Sequence, residues 1–66
     1  MTLLTQREAA LVLRLSERTL ERWRVQGTGP RFVRLPGGSI RYRQQDIEAD
    51  VAARVVTSTS EGRAVR

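Results

Sequence analysis

Four arginines, Arg31, Arg34, Arg41 and Arg43, fall within fifteen residues that contain no acid. A second pair, Arg18 and Arg22, stands four residues apart, the spacing that brings two side chains onto one face of a helix. The planar guanidinium donates two hydrogen bonds at once, which suits a phosphate or the O6/N7 edge of guanine. The chemistry on offer is anion and base-edge recognition. Catalysis is poorly provided for: all twelve cations are arginine, and there is no histidine, cysteine or lysine to act as base, thiol nucleophile or Schiff-base amine. Asp46, Glu48 and Asp50 superficially resemble a metal or acid/base cluster. On a helix, however, Asp46 and Asp50 share a face and Glu48 points away, so a solvated face is expected, with Asp46 favoured by the helix dipole. Neither glycine-rich stretch has phosphate-loop spacing. The expectation is a binding protein, not an enzyme, with no cofactor, no metal and no small-molecule ligand.

These residues sit in a chain of 66 residues with formal charge +5. That length makes one domain, which buries only about 60% of the surface its unfolded chain exposes. No disulfide or Cys/His metal site can staple it, so a small helical core must suffice. The charge is uneven: +2 over residues 1–30, +4 over 31–45, −2 over 46–60 and +1 over the last six. A positive balance selects an anionic partner, nucleic acid or membrane. The longest purely apolar run, Ala9 to Leu13, is far shorter than the roughly 20 residues of a spanning helix. Arg7 and Glu8 interrupt any leader-like segment. No membrane association is expected, and a cytoplasmic, nucleoid-associated location is.

The elements that must position the arginines are legible in turn. Thr5 with Glu8 three residues on reads as a capping box, opening a helix to about Leu13 with Ala9, Val12 and Leu13 on one face. Ser16 is a good N-cap for a second helix, Glu17 to Gln26, closed by Gly27. Two short helices joined by about three residues make a helix-turn-helix candidate. Gly27 to Pro30 breaks the helix, and Phe32–Leu35 and Ile40–Arg43 alternate around Pro36-Gly37-Gly38-Ser39, a β-hairpin. A four-residue tip would pair Leu35 with Ile40, Val33 with Tyr42 and Arg34 with Arg41. A third helix is expected from Gln44 to about Val56, with Ile47, Val51 and Val55 on one stripe. The fold class is thus mainly α with a small β-hairpin: three helices and a two-stranded wing over residues 1–56, followed by a flexible tail over 57–66.

On the second helix, Leu20 and Trp23 fall on one side, with Arg18 and Arg22 nearly opposite and Val25 close by. The face is either a solvated amphipathic surface or a groove reader, with Thr19 and Gln26 on its flank. Trp23 reads as core. Glu17 suits the first turn, and Glu21 either orients Arg18 or Arg24, the first expectation, or accepts from a cytosine amino group. In the hairpin, Arg34 facing Arg41 would destabilise the isolated pair by some tenths of a kcal/mol. Such crowding either protects an edge from aggregation or awaits a phosphate backbone.

Leu4-Thr5, Glu8-Ala9-Ala10, Leu13-Arg14-Leu15-Ser16, Arg18 to Trp23, Gly27 to Pro30, Phe32 to Leu35, Arg41 to Arg43 and Asp46 to Ala49 together resemble the excisionase-like helix-turn-helix family. That family includes AlpA-type phage regulators and is related to MerR-type DNA-binding domains. The resemblance spans Leu3 to Val56. It implies a winged helix whose second helix enters the major groove, carrying Ser16, Arg18, Thr19 and Arg22, while Arg34, Gly37, Gly38 and Arg41 form the wing contact. Gln26 on the helix and Arg31, Ser39 and Arg43 beside the wing complete the expected DNA-contact set. Two positions depart from the family pattern. Arg14 stands where glycine is frequent, a change costing about 1 kcal/mol if the backbone there is left-handed. Asp50 stands where an aromatic is common.

The resemblance implies an excisionase, or recombination directionality factor, that binds direct repeats near an attachment site, bends the DNA and favours integrase-mediated excision. A small transcriptional regulator on the same fold is the alternative. An RNA-binding or protein-interaction module is disfavoured, because no aromatic platform is present. The expected partners are double-stranded DNA, further copies arranged head to tail and a site-specific integrase, with the tail as a candidate contact for either protein.

Overall fold

Helix α1 begins at the capping box. In the computed structural model, which describes residues 2–56, the Thr5 N–H donates to Glu8 Oε1 at 2.9 Å and the Glu8 N–H to Thr5 Oγ1 at 3.1 Å. The elements run β1 (Leu3–Leu4), α1 (Gln6–Leu13), α2 (Glu17–Gln26), β2 (Val33–Arg34), β3 (Ile40–Arg43) and α3 (Gln44–Ala53). Three helices and a small antiparallel sheet, ordered β1-β3-β2, form the winged helix-turn-helix. The expected tail, 57–66, lies outside the described residues.

Both helices of the helix-turn-helix end in the same way. The Arg14 N–H donates to Leu11 O at 3.1 Å and the Leu15 N–H to Ala10 O at 2.9 Å; Gly27 and Thr28 repeat the pattern on Arg24 and Trp23 at 3.2 and 2.8 Å. This is the Schellman closure, and it requires a left-handed residue. Arg14 (φ 57°) and Gly27 (φ 80°) occupy that position. The glycine-like backbone expected at Arg14 is therefore present.

The core consists of Ala9, Ala10, Leu20, Tyr42 and Ile47, with Leu4, Leu13, Trp23, Phe32 and Ile40 packed around it. Val12 is not part of it, being 58% exposed. The buried stripe of α1 is Ala9, Ala10 and Leu13, the i, i+1, i+4 set. Val12 lies about 100° from the centre of that stripe at 100° per residue.

The hairpin is shifted by one residue from the expected register. Val33 lies opposite Arg41 and Arg34 opposite Ile40. Its tip is three residues, Pro36-Gly37-Gly38, closed by Gly38 N–H to Leu35 O at 3.0 Å and Leu35 N–H to Ser39 O at 2.8 Å. Proline followed by a glycine at φ +91° is the type II turn combination. A one-residue slip moves every side chain of the strand to the other face. Phe32 therefore lies opposite Tyr42, with ring centroids 6.2 Å apart, and joins the core in place of Val33 and Leu35.

Two further differences follow from tertiary contact. Leu3 and Leu4 form a third strand, pairing with Arg43 and Tyr42, which puts Leu4 on the core side. Helix α3 stops at Ala53 instead of Val56, and of its expected stripe only Ile47 is buried, with Val55 65% exposed. Because α3 continues directly from β3, only its first turns overlie the core. Asp50, at the position where an aromatic is common, holds Arg54 Nε at 2.8 Å, and the Arg54 guanidinium lies 5.3 Å from the Trp23 ring centroid. Asp50 thus holds a cation over the indole.

Candidate nucleic-acid interface

Helix α2 is positioned by its inner face. Leu20 is fully buried and Trp23 half-buried, its ring packed against the backbone at Gly29. This anchoring turns Arg18, Arg22 and Gln26, at i, i+4 and i+8, outward with Val25. With Glu21, they line one shallow groove along the helix. Neither Arg18 nor Arg22 makes an ion pair or side-chain hydrogen bond among the described residues, and Glu21 orients neither Arg18 nor Arg24, contrary to expectation. Ser16 is engaged locally: its Oγ accepts from the Thr19 N–H at 3.1 Å and donates to Thr19 Oγ1 at 2.9 Å. Its hydroxyl is a cap first. Thr19 retains its own hydroxyl proton for an outside acceptor.

The wing divides its arginines. Because cross-strand partners share a face, Arg34 lies with Ile40 and Arg41 with Val33, on opposite faces of the ribbon. The expected Arg34–Arg41 repulsion does not arise. Arg41 donates to its neighbour Ile40 O at 2.8 Å, whereas Arg34 is exposed and makes no polar side-chain contact among the described residues. Gly37 and Gly38, with Ser39 beside them, form an exposed tip. Cβ atoms at either glycine would meet nothing within 4 Å, so their positive φ values and not crowding call for glycine. Bare backbone at a protruding tip can approach a phosphate closely.

At the base of the wing the arrangement differs. Arg43 donates from Nε and Nη2 to both oxygens of Asp46, at 2.6 and 2.8 Å. Those hydrogen bonds hold the Asp46 carboxyl below the usual aspartate range, against some desolvation, with the charges of Arg43 and Arg31 adding to the effect. Arg31 lines the same depression as Asp46. The acid missing from residues 31–45 is thus supplied by position 46. Among the described residues, exposed arginines without an ion pair include Arg14, Arg18 and Arg22 around α2 and Arg34 toward the tip of the wing.

Arg24 was not expected to differ from the other helix arginines. It reaches inward, 5.8 Å from the Phe32 ring centroid and 3.5 Å from Gln6 Oε1. Its Nε and the Tyr42 hydroxyl are buried without a hydrogen-bond partner among the described residues. Burial pushes the Tyr42 pKa up, opposed by the positive charge of Arg24 and by the approach of its guanidinium to the hydroxyl, which falls short of a well-formed hydrogen bond. Its 3.6-residue phase, on the same side as Leu20, was the available signal.

The model of the helix-turn-helix domain matches residues 3–54, which include every element described above. The chain belongs to the excisionase-like helix-turn-helix family. A helix-turn-helix domain of this family implies DNA binding. A search of the curated proteins found no match. Among the described residues no helix is long and apolar enough to cross a membrane, and no group of three His, Cys, Asp or Glu side chains could hold a metal ion.

Proposed function

We propose that the protein is a sequence-specific binder of double-stranded DNA acting as an excisionase: it occupies direct repeats beside an attachment site, bends them and favours integrase-mediated excision. The observation that supports groove binding in this reading is the pair Arg18 and Arg22, without an ion pair or side-chain hydrogen bond among the described residues, on the outer face of an α2 whose inner face is locked into the core. In this reading α2 lies in the major groove with Arg18, Arg22, Thr19 and Gln26 toward the bases and Ser16 at the groove edge. Arg34, Arg41, Gly37, Gly38 and Ser39 follow the adjacent backbone. Arg31 and Arg43 contribute through the field around Asp46 more than as free cations. The protein acts by binding, without catalysing a step, in the nucleoid.

A single module of this size contacts only a short site, so useful specificity requires several copies or a partner. Head-to-tail, cooperative occupancy of repeats meets that requirement, with integrase as a further contact. The test is footprinting on the DNA flanking the gene, followed by an excision assay with an integrase encoded beside it. The expected result is protection of two or more direct repeats with a cooperative isotherm, and excision that depends on the protein. A non-cooperative isotherm at a single site would defeat the assembly model. Promoter occupancy without any effect on excision would replace the excisionase with a transcriptional regulator.

A further inference from the structure

Among the described residues, Arg14 is the one non-glycine with positive φ. It performs the same backbone task as Gly27, closing a helix with the same pair of hydrogen bonds. Glycine enters that conformation freely, whereas an arginine Cβ is driven toward the following carbonyl. The side chain at position 14 is therefore not there for the benefit of the turn. It is exposed, and its guanidinium makes no ion pair or side-chain hydrogen bond among the described residues. The turn that carries it leads within two residues to Ser16, the N-cap of α2. An arginine there stands beside the end of α2 where the backbone N–H groups and the positive dipole end already favour an anion.

We propose that Arg14 is a phosphodiester contact, gripping the DNA backbone that borders the groove entered by α2. The proposal rests on the reading of α2 as the groove helix. A left-handed arginine here offers what glycine cannot, a guanidinium able to donate two hydrogen bonds to a phosphate. The competing account is internal: a cation after the last turn of α1 also complements that helix's own carbonyl end.

The two accounts separate in Arg14→Gly and Arg14→Lys, made in the full chain and titrated against a mixed-sequence duplex of about 20 base pairs at several salt concentrations. Arg14→Gly relieves the backbone, so Tm is expected to rise by about 4 °C or more. Its affinity is expected to fall roughly five- to tenfold near 0.1 M salt, with the log K against log salt slope shallower by about one. Arg14→Lys keeps the slope of the natural protein. An Arg14→Gly variant with raised Tm but unchanged affinity and slope overturns the proposal, and so does one with lowered Tm, which would make Arg14 a cap for α1. Should the natural chain show no salt-dependent duplex binding at all, the DNA-binding reading itself fails, and this proposal with it.

Discussion

Arg43 and Asp46 are joined by both ends of the guanidinium fork, three residues apart across the junction where β3 becomes α3. The pair does two things. It neutralises one of the four wing arginines, and it ties the end of the strand to the first turn of a helix whose N-cap, Arg43 itself, makes no side-chain capping bond.

Asp46→Asn tests both consequences. At neutral pH the variant is expected to melt below the natural chain. The folded carboxyl is held below its unfolded value, so its stabilisation is complete above the ordinary aspartate pKa of about 3.9 and disappears as pH falls through the lowered folded value. The difference in Tm should therefore be constant from about pH 5 upward and vanish in strong acid. The same substitution frees Arg43, so duplex binding should tighten and its salt slope steepen by up to about one. A Tm difference that grew in acid would contradict the assignment.

Gly27 and Gly29 have nearly the same positive φ and unequal surroundings. A Cβ at Gly27 would meet nothing, whereas at Gly29 it would lie 3.1 Å from Trp23 Cβ, which cannot move without α2, and 3.1 Å from Cε3 of the packed indole. Gly27→Ala is expected to cost about 1–2 kcal/mol in urea denaturation from backbone strain alone. Gly29→Ala should cost at least about 1 kcal/mol more through overpacking.

Arg22→Ala and Arg34→Ala separate the helix from the wing. If Arg22 reads a base edge, its removal should cost about 1–3 kcal/mol at the natural site and relax sequence preference there. Arg34→Ala should weaken all duplexes alike and flatten the salt slope by about one. Competition binding with base-substituted duplexes distinguishes them. Loss of base preference in the wing variant, with none in the helix variant, would invert the assignment.

The Tyr42 hydroxyl is buried without a hydrogen-bond partner among the described residues. Tyr42→Phe removes a desolvated polar atom and keeps the ring against Phe32, so stability should change by less than about 1 kcal/mol, in either direction. Leu20→Ala, at a fully buried site, should cost about 2–5 kcal/mol. That is most of what a core of this size supplies, about 3–5 kcal/mol. Equal losses in the two variants would mean that the hydroxyl has a partner that the folded geometry does not reveal.

The arginines show where reading the sequence stops. Arg18 and Arg22 were legible as a pair because helical spacing is periodic and Leu20 marks the inward face. Arg24 belongs to the same helix, yet its inward course depends on Gln6 and Phe32, from two other segments. The charge of Arg43 was legible and its neutralisation was not, since residue spacing alone does not distinguish a salt bridge across a strand–helix junction from two solvated charges.

The sequence by itself determined the helix starts at Thr5 and Ser16, the break at Gly27 and the presence of a hairpin. Each depends on hydrogen bonds spanning three to five residues, which the local residue types specify. Only the tertiary structure decided the hairpin register, the third strand at Leu3–Leu4 and the division of the wing arginines between free and paired. The third strand needs pairing between the two ends of the domain, Leu3 with Arg43; the register depends on which hairpin face packs against the helices, and the Arg43–Asp46 pair on the geometry of the strand–helix junction. One residue fewer in the tip moved Val33 and Leu35 away from the core, put Phe32 in their place and set Arg34 and Arg41 on opposite faces.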